Sequence, residues 1–327
     1  MKIVIPGGTG QVGTVLAREF HAAGDDVIVL TRNPRPAPWK VMTWDGDTAG
    51  EWVKAIEGAD VVINLAGKSV NCRYTARNRA EILESRVRST RAVGNAIAGA
   101  SQPPRVWLQA STATIYAHRY DAENDEETGL LGGSEPGAPD KWRFSIDVVN
   151  AWERTATEIE TPRTRKVLMR SAITMSPDRG GIFDTLLLLV RFGLGGRAGS
   201  GRQYVSWIHE RDFTRAVRWL IEQEHLSGPV NLASPFPLPY ADFQRALREA
   251  WGARLGLPAT EWMVEIGTRL FGTESELVLK SRRVVPGRLL RHGFKFEHPN
   301  WPEAARDLCQ RWRAANAGIS TAAGARR

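Results

Sequence analysis

Three glycines at fixed spacing offer the first chemistry. They stand in the run Gly7-Gly8-Thr9-Gly10-Gln11-Val12-Gly13, after the apolar Lys2-Ile3-Val4-Ile5 and before a helical stripe of Val12, Val15, Leu16 and Phe20. Glycines between a strand and a helix let the backbone approach a pyrophosphate, whose charge is met by the free N–H groups of the first helical turn. Gly7, Thr9, Gly10, Gln11, Val12 and Gly13 are therefore candidate dinucleotide-binding residues. Where the second strand ends the chain reads Thr31-Arg32, with no carboxylate to receive a ribose 2′-hydroxyl. A guanidinium there favours a 2′-phosphate through charge-assisted hydrogen bonds. NADP(H) is thus expected in preference to NAD(H), with Thr31 and Arg32 at its adenosine end; a merely solvated Arg32 is the alternative.

Other chemistries find little in the sequence. There is no HExxH zinc signature and no GxSxG nucleophile elbow. The cysteines, Cys72 and Cys309, are far apart and outside any CxxC spacing, so neither a metal site nor a disulfide framework is indicated. The net charge of +8 would suit nucleic acid, a phosphorylated cofactor or an anionic substrate. Basic residues are spread along the chain and not interleaved with aromatics, so no nucleic-acid partner is expected. The composition, 42% hydrophobic and 24% charged over 327 residues, is that of a globular chain. The longest apolar stretch, around Leu186 to Val190, is far short of a membrane span. A soluble, cytoplasmic protein without membrane association is the expectation, and its oligomeric state cannot be read.

These residues need elements to position them. Val27 to Leu30 closes a first strand-helix-strand unit, and the alternation continues. A short helix around Trp52 and Ile56 leads to the strand Val61 to Leu65, and a longer helix carries Leu83, Val87, Thr90, Gly94 and Ile97. The strand Val106 to Leu108, a helix from about Arg143 to Thr157 and the strand Val167 to Met169 follow. Strands separated by helices imply parallel pairing, hence an α/β, doubly wound parallel sheet of Rossmann type. After Arg170 the rhythm loosens around glycine-rich segments, and a smaller, mainly helical C-terminal substrate lobe, interleaved in sequence, is expected. The boundaries are residues 1–170 for the dinucleotide-binding core, with 205–233 returning to it, 171–204 and 234–315 for the lobe, and 316–327 for a flexible tail.

The run GGTGQVG, the strand end Asn64 to Gly67, and Ala110-Ser111-Thr112-Ala113-Thr114-Ile115-Tyr116 together resemble the extended short-chain dehydrogenase/reductases of the NAD-dependent epimerase/dehydratase superfamily. Arg73-Tyr74-Thr75 with Glu81 to Arg86, Gly199 to Gln203 with Ser206 to His209, and Gly293 to Phe296 narrow the resemblance to an atypical subfamily. Its members are called epimerase family proteins and carry a C-terminal domain of unknown function. The resemblance covers roughly residues 1 to 310 and implies a Rossmann core, a nucleotide cofactor and a small-molecule substrate of unknown identity.

It also implies a Ser or Thr that holds the substrate oxygen and a Tyr of a YxxxK motif that moves the proton. Thr112 falls at the first position, but the YxxxK region reads Phe144-Ser145-Ile146-Asp147-Val148, so the usual dyad is absent. The subfamily shares that departure. Tyr116 is a replacement acid or a packing residue, and Tyr74, Tyr120 or His118 stand near the mouth of the pocket. Leu65, Ala66 and Gly67 would line the adenosine side, Ser111 and Thr112 would face the nicotinamide, and Arg170 would meet either an anionic group or a structural carboxylate. Tyr74, Trp207 and His209 are tentative substrate residues, although His209 in a structural hydrogen bond and Trp207 in a core are the plainer readings. The expected activity is reversible hydride transfer by an oxidoreductase or epimerase-like protein. The alternative is a degenerate nucleotide-binding sensor.

Overall fold

The computed structural model describes residues 1–135 and 138–324. In chain order its strands are β1 (Lys2–Pro6), β2 (Asp26–Thr31), β3 (Lys40–Thr43), β4 (Val61–Asn64), β5 (Val106–Thr112), β6 (Arg165–Ser171), β7 (Ile173–Met175), β8 (Tyr204–Val205), β9 (Trp207–His209), β10 (Gly228–Leu232) and β11 (Leu238–Pro239). Its α-helices are α1 (Gln11–Ala22), α2 (Val53–Ile56), α3 (Ala76–Gly99), α4 (Arg143–Glu158), α5 (Ile182–Arg191), α6 (Glu210–Glu222), α7 (Tyr240–Trp251), α8 (Glu261–Leu270), α9 (Glu276–Leu279), α10 (Gly287–Arg291) and α11 (Trp301–Gly324). Among the described residues no helix is long and apolar enough to cross a membrane.

Seven strands form one parallel sheet in the order β10-β6-β5-β4-β1-β2-β3. Alternation along each strand divides its side chains between two cores. Ile3, Ile5, Val27, Val29, Ile63, Leu108 and Met169 meet α1 and α6 through Leu16, Phe20, Phe213 and Leu220. Val4, Ile28, Leu30, Val62 and Trp107 meet α2 and α3 through Ile56, Val93 and Ile97. Burial on both faces is why these strands read as unbroken apolar runs, and it fixes the doubly wound α/β class. Because the strands are parallel, the ends of β1, β2, β4 and β5 all open on one edge. The chain winds outward from β1 in opposite directions toward β2 and β4, which places a crevice above β1.

The C-terminal lobe has its own core, in which Phe183, Leu187, Trp207, Phe243, Leu247, Trp301, Leu308 and Cys309 come together. Residues 280–285 do not stay within that lobe. They thread between the loop after β5 and the β8–β9 segment, where Ser281 N–H donates to His118 Nδ1 (2.8 Å), Ser281 Oγ donates to the Arg119 carbonyl (2.8 Å) and Ser206 Oγ donates to the Arg282 carbonyl (2.6 Å).

Three features differ from the sequence reading. Edge strand β3 is short and half exposed, so its residues carry no periodic signal. The expected strand Val205 to Ile208 is divided: β8 pairs antiparallel with β11 and β9 pairs parallel with β7, both apart from the main sheet, while β10 does join that sheet at its edge. The stretch 316–327, expected as a flexible tail, is helical as far as Gly324, and its last three residues lie outside the described residues.

Trp107 is wholly buried beneath α3. Trp107→Ala should cost about 3–5 kcal/mol of stability, the usual range for emptying a large aromatic site. Urea unfolding checks this, and a loss below about 1 kcal/mol would contradict the described packing.

Candidate functional site

The glycine loop divides its labour. Gly7 has φ +76°, and a Cβ there would lie 2.6 Å from the Ala66 Cα, so the turn after β1 closes directly onto the end of β4. A Cβ on Gly13 would lie 2.5 Å from the Gly8 Cα, which lets the first turn of α1 rest on the loop. Gly10 differs from both. A Cβ there would meet only the Gly7 carbonyl oxygen at 3.7 Å, and its extended backbone suits any residue. Nothing in the fold demands glycine at position 10, so the space it leaves is left for something outside the chain.

That space faces the start of α1, where Gly10 supplies no side-chain cap and the first turn holds no acidic residue. The Gln11, Val12 and Gly13 amides lack i−4 partners, the ordinary state of a helix N-terminus, and Gln11 Nε2 is buried with no hydrogen-bond partner among the described residues. Orphan donors, a helix dipole and an open cradle are the donor set that a diphosphate requires.

Neighbouring strand ends complete the rim. Thr9 and Thr31 hydroxyls are 3.0 Å apart, joining the glycine loop to β2. Arg32 is exposed, and among the described residues it has neither an ion pair nor a hydrogen bond. Beyond β4, Leu65 N–H donates to the Pro6 carbonyl (2.8 Å) and Ala66 N–H to Asn64 Oδ1 (3.1 Å), while Gly67 lies against Arg86. At the end of β5, Thr112 Oγ1 donates to Thr114 Oγ1 (3.2 Å). Thr114 in turn receives Arg282 Nε on its hydroxyl (3.3 Å) and Lys280 Nζ on its carbonyl (3.0 Å). Burial, with Arg282 adding to it, pulls the Lys280 ammonium down to about 8.

Several expected site residues belong elsewhere. Tyr116 is 2% exposed, and its hydroxyl donates to Asn231 Oδ1 (2.9 Å) and accepts from Arg170 Nη1 (3.1 Å). Burial raises its pKa, and a phenol enclosed in this way is a packing residue that cannot reach a substrate. Of the two readings for Arg170 the structure shows the structural carboxylate: it forms a two-bond pair with Glu153 of α4 (2.9 and 2.8 Å). Burial alone would lower the Arg170 pKa, but Glu153 more than offsets it and raises it. Ser111 also turns inward, donating to Glu153 Oε1 (2.5 Å). Trp207 is a core residue, edge-on to Trp301 at 5.0 Å. His209 caps α6, accepting the Arg211 N–H on Nδ1 (3.1 Å) and pairing through Nε2 with Asp307 (3.0 Å). His209, His298 and Asp307 have the composition of a metal cluster, but the Nδ1 cap and Arg311 on Asp307 (3.3 Å) leave it a structural contact.

Tyr74, Tyr120 and His118, expected near the mouth of the pocket, each line a cavity. His118 and Tyr120 line a cavity of about 280 Å³ with Trp142, Gln203 and Trp262. Tyr74 lines an adjoining cavity of about 150 Å³ with Arg73, Lys141 and Glu276. Glu153, Ser145, Glu276, Lys280 and Arg282 were missed by sequence reasoning. Ser145 and Glu276 are 131 positions apart, and no local signal links them.

A family model described as NAD dependent epimerase/dehydratase family matches residues 3–233, and a domain of unknown function, DUF1731, matches residues 259–308. The chain belongs to the NAD dependent epimerase/dehydratase family. Epimerase family protein SDR39U1 of Bos taurus is 32% identical over 313 residues, covering 94% of this chain and 99% of the relative. Epimerase family protein SAR0825 of Staphylococcus aureus (strain MRSA252) is also 32% identical, over 309 residues, covering 94% and 98%. The solved structure of human epimerase family protein SDR39U1 (isoform 2) with NADPH superposes with a TM-score of 0.82 at 29% identity, covering 95% of this chain and 99% of that one. The doubly wound parallel α/β fold expected from the alternating elements and the family expected from the motifs are both borne out.

Two outcomes test the site description. Gly10→Ala should leave stability within about 0.5 kcal/mol of wild type, as for an open surface position, whereas Gly13→Ala should destabilise measurably in the same urea titration. In addition, burial and the neighbouring His298 ring hold His209 far below its unfolded value of 6.5, at about 3. A base whose folded pKa is depressed contributes stability above the unfolded value and loses it as pH falls. Stability should therefore decline from about pH 6.5 toward 3, by at most about 1.4 kcal/mol per pH unit, and His209→Gln should flatten that limb.

Proposed function

We propose that this epimerase/dehydratase-family chain is an NADP(H)-dependent oxidoreductase or epimerase-like enzyme that acts on a small molecule by reversible hydride transfer. One observation carries the reading: the uncapped start of α1, opened outward by a Gly10 that the fold itself does not need. The Gln11, Val12 and Gly13 amides would hold the diphosphate, with Gly7, Thr9 and Gly10 shaping its seat. Leu65, Ala66 and Gly67 would flank the adenosine side. Thr31 and the exposed Arg32 would receive a 2′-phosphate. The lack of any carboxylate at the end of β2 supports that choice, as does the NADPH in the human relative's structure.

When bound, the nicotinamide supplies hydride exchange at its C4. The chain's own share is orientation and protonation. Thr112, on the edge where the strands end, would hold the substrate oxygen, and the cavities lined by Tyr74, Tyr120 and His118 would take the rest of the molecule. A second reading, a coenzyme-binding sensor without turnover, is favoured by Phe144 and the buried Val148 at the usual Tyr and Lys positions.

Calorimetry with NADPH and NADH tests the cofactor assignment. Arg32→Ala should weaken NADPH by about 10–100-fold, the worth of one or two charge-assisted hydrogen bonds, and leave NADH within twofold. Equal losses for both coenzymes would refute the role of Arg32. A panel of carbonyl compounds with NADPH separates enzyme from sensor: turnover that disappears in Thr112→Ala supports catalysis, and tight NADPH binding without turnover supports the sensor.

A further inference from the structure

Two side chains on the β4–α3 side, Tyr74 and Arg86, are unused by the coenzyme seat. Phe144, Val148 and Trp152 follow one another at four-residue spacing along α4, so they share a face of that helix. The Tyr74 ring meets the Phe144 ring edge to face, with centroids 5.2 Å apart. One helical step beyond Val148, the Arg86 guanidinium lies 5.0 Å over the Trp152 ring. A phenol thus approaches this face at Phe144, where the Arg79 guanidinium also lies 5.0 Å over the ring, and a second cation, Arg86, approaches it at Trp152, on the face where a YxxxK helix would itself carry a phenol and a cation.

Arg86 is placed at some cost. Its Nη1 donates to the carbonyls of Lys68 (3.0 Å) and Ile82 (2.9 Å), and among the described residues no carboxylate pairs with it. A largely buried guanidinium without a counter-ion is unfavourable unless something else uses its charge. Burial draws it down to about 10, and Tyr74 and Cys72 are ionisable groups whose charges act on it. The loop that carries Tyr74 is held firmly, since Arg73 Nη1 donates to the Thr273 carbonyl and Tyr74 N–H to Glu274 Oε1, each at 2.7 Å.

A proton path leads away from the phenol. The Ser145 side chain stands beside the Tyr74 hydroxyl and acts to lower its pKa, and Ser145 Oγ donates to Glu276 Oε2 (2.6 Å). Glu276 Oε1 is buried with no hydrogen-bond partner among the described residues. Burial raises the Glu276 pKa and pushes Tyr74 up to about 12, so the phenol keeps its proton at neutral pH.

We propose that Tyr74 is the proton donor of this enzyme and Arg86 its fixed cation, together replacing from the β4–α3 side the dyad that α4 lacks at Phe144 and Val148. The inference rests on the NADP(H) reading above. In the reducing direction a substrate carbonyl carbon gains a C–H bond with the hydride pair of the reduced nicotinamide, and the C=O π pair moves to oxygen. That oxygen takes the Tyr74 phenolic proton, and the phenolate recovers one through the Ser145 hydroxyl from Glu276 and solvent. The balance is one carbonyl reduced to an alcohol, one NADPH oxidised to NADP+ and one proton consumed. Arg86 is a positioning residue that steadies the transient phenolate.

The test follows the Tyr74 ring carbon by NMR in protein labelled with ζ-13C tyrosine, assigned by its loss in Tyr74→Phe. Saturation with NADP+ should lower the Tyr74 titration midpoint by at least one pH unit, because a cationic ring beside the phenol favours phenolate. Arg86→Met should raise the NADP+-bound midpoint again, and Arg86→Lys should restore part of the shift. A Tyr74 midpoint indifferent to both NADP+ and Arg86→Met overturns the proposal. With a carbonyl that the wild type reduces, Tyr74→Phe should lower kcat at least 100-fold with NADPH affinity within twofold, and turnover within threefold of wild type overturns it equally. Wild-type protein that binds neither coenzyme removes the underlying NADP(H) reading instead, so the two failures are distinct.

Discussion

The closeness of Gly13 to Gly8 governs the rest of the molecule. A helix normally stands off from the strand it follows by the length of a side chain; here two backbones touch, and α1 is seated with its open end over the carboxyl edge of the sheet. Everything proposed for the site depends on that placement. The helix dipole and unpaired amides are useful only if they face the crevice above β1, which the Gly7 turn and its contact with Ala66 secure. Interactions of this kind are local and steric, which explains how seven consecutive residues can announce them.

Legibility falls off with sequence separation. The main strands and helices could be read because burial on both faces turns them into apolar runs and single-sided stripes, as at Val27 to Leu30 and along α6. Edge strand β3 could not, since two half-buried residues make no pattern. The glycine loop was readable for the same local reason. The far side of the cleft was not, because Glu276, Lys280 and Arg282 reach it across 131 to 168 positions, from a segment whose composition suggests only a basic surface.

Tyr116 and Arg170 show why residue type and position along a strand fall short of a function. Both end on the edge expected of site residues, yet Glu153 gathers Arg170 and Ser111 while Asn231 takes the phenol. The half-buried Glu153 carboxylate outbids the cleft for Arg170 and Ser111, since leaving the buried guanidinium without it would strand a charge in the interior. The sequence offers no sign of this, because Glu153 lies on an amphipathic helix where an exposed glutamate would look the same.

The strap of residues 280–285 ties the two ends of the chain's history together. Its bond from Ser281 to His118 spans 163 positions, and Arg73 is held by Thr273 across 200. Contacts of such range close late, after the entropy of very large loops has been lost. During synthesis the glycine loop and its helix can form early, while the opposite wall must wait for nearly the whole polypeptide to emerge. A nascent or prematurely ended chain would carry a formed nucleotide cradle facing an unfinished wall, which makes the DUF1731 segment a condition for assembling the cleft and not an appendage to it.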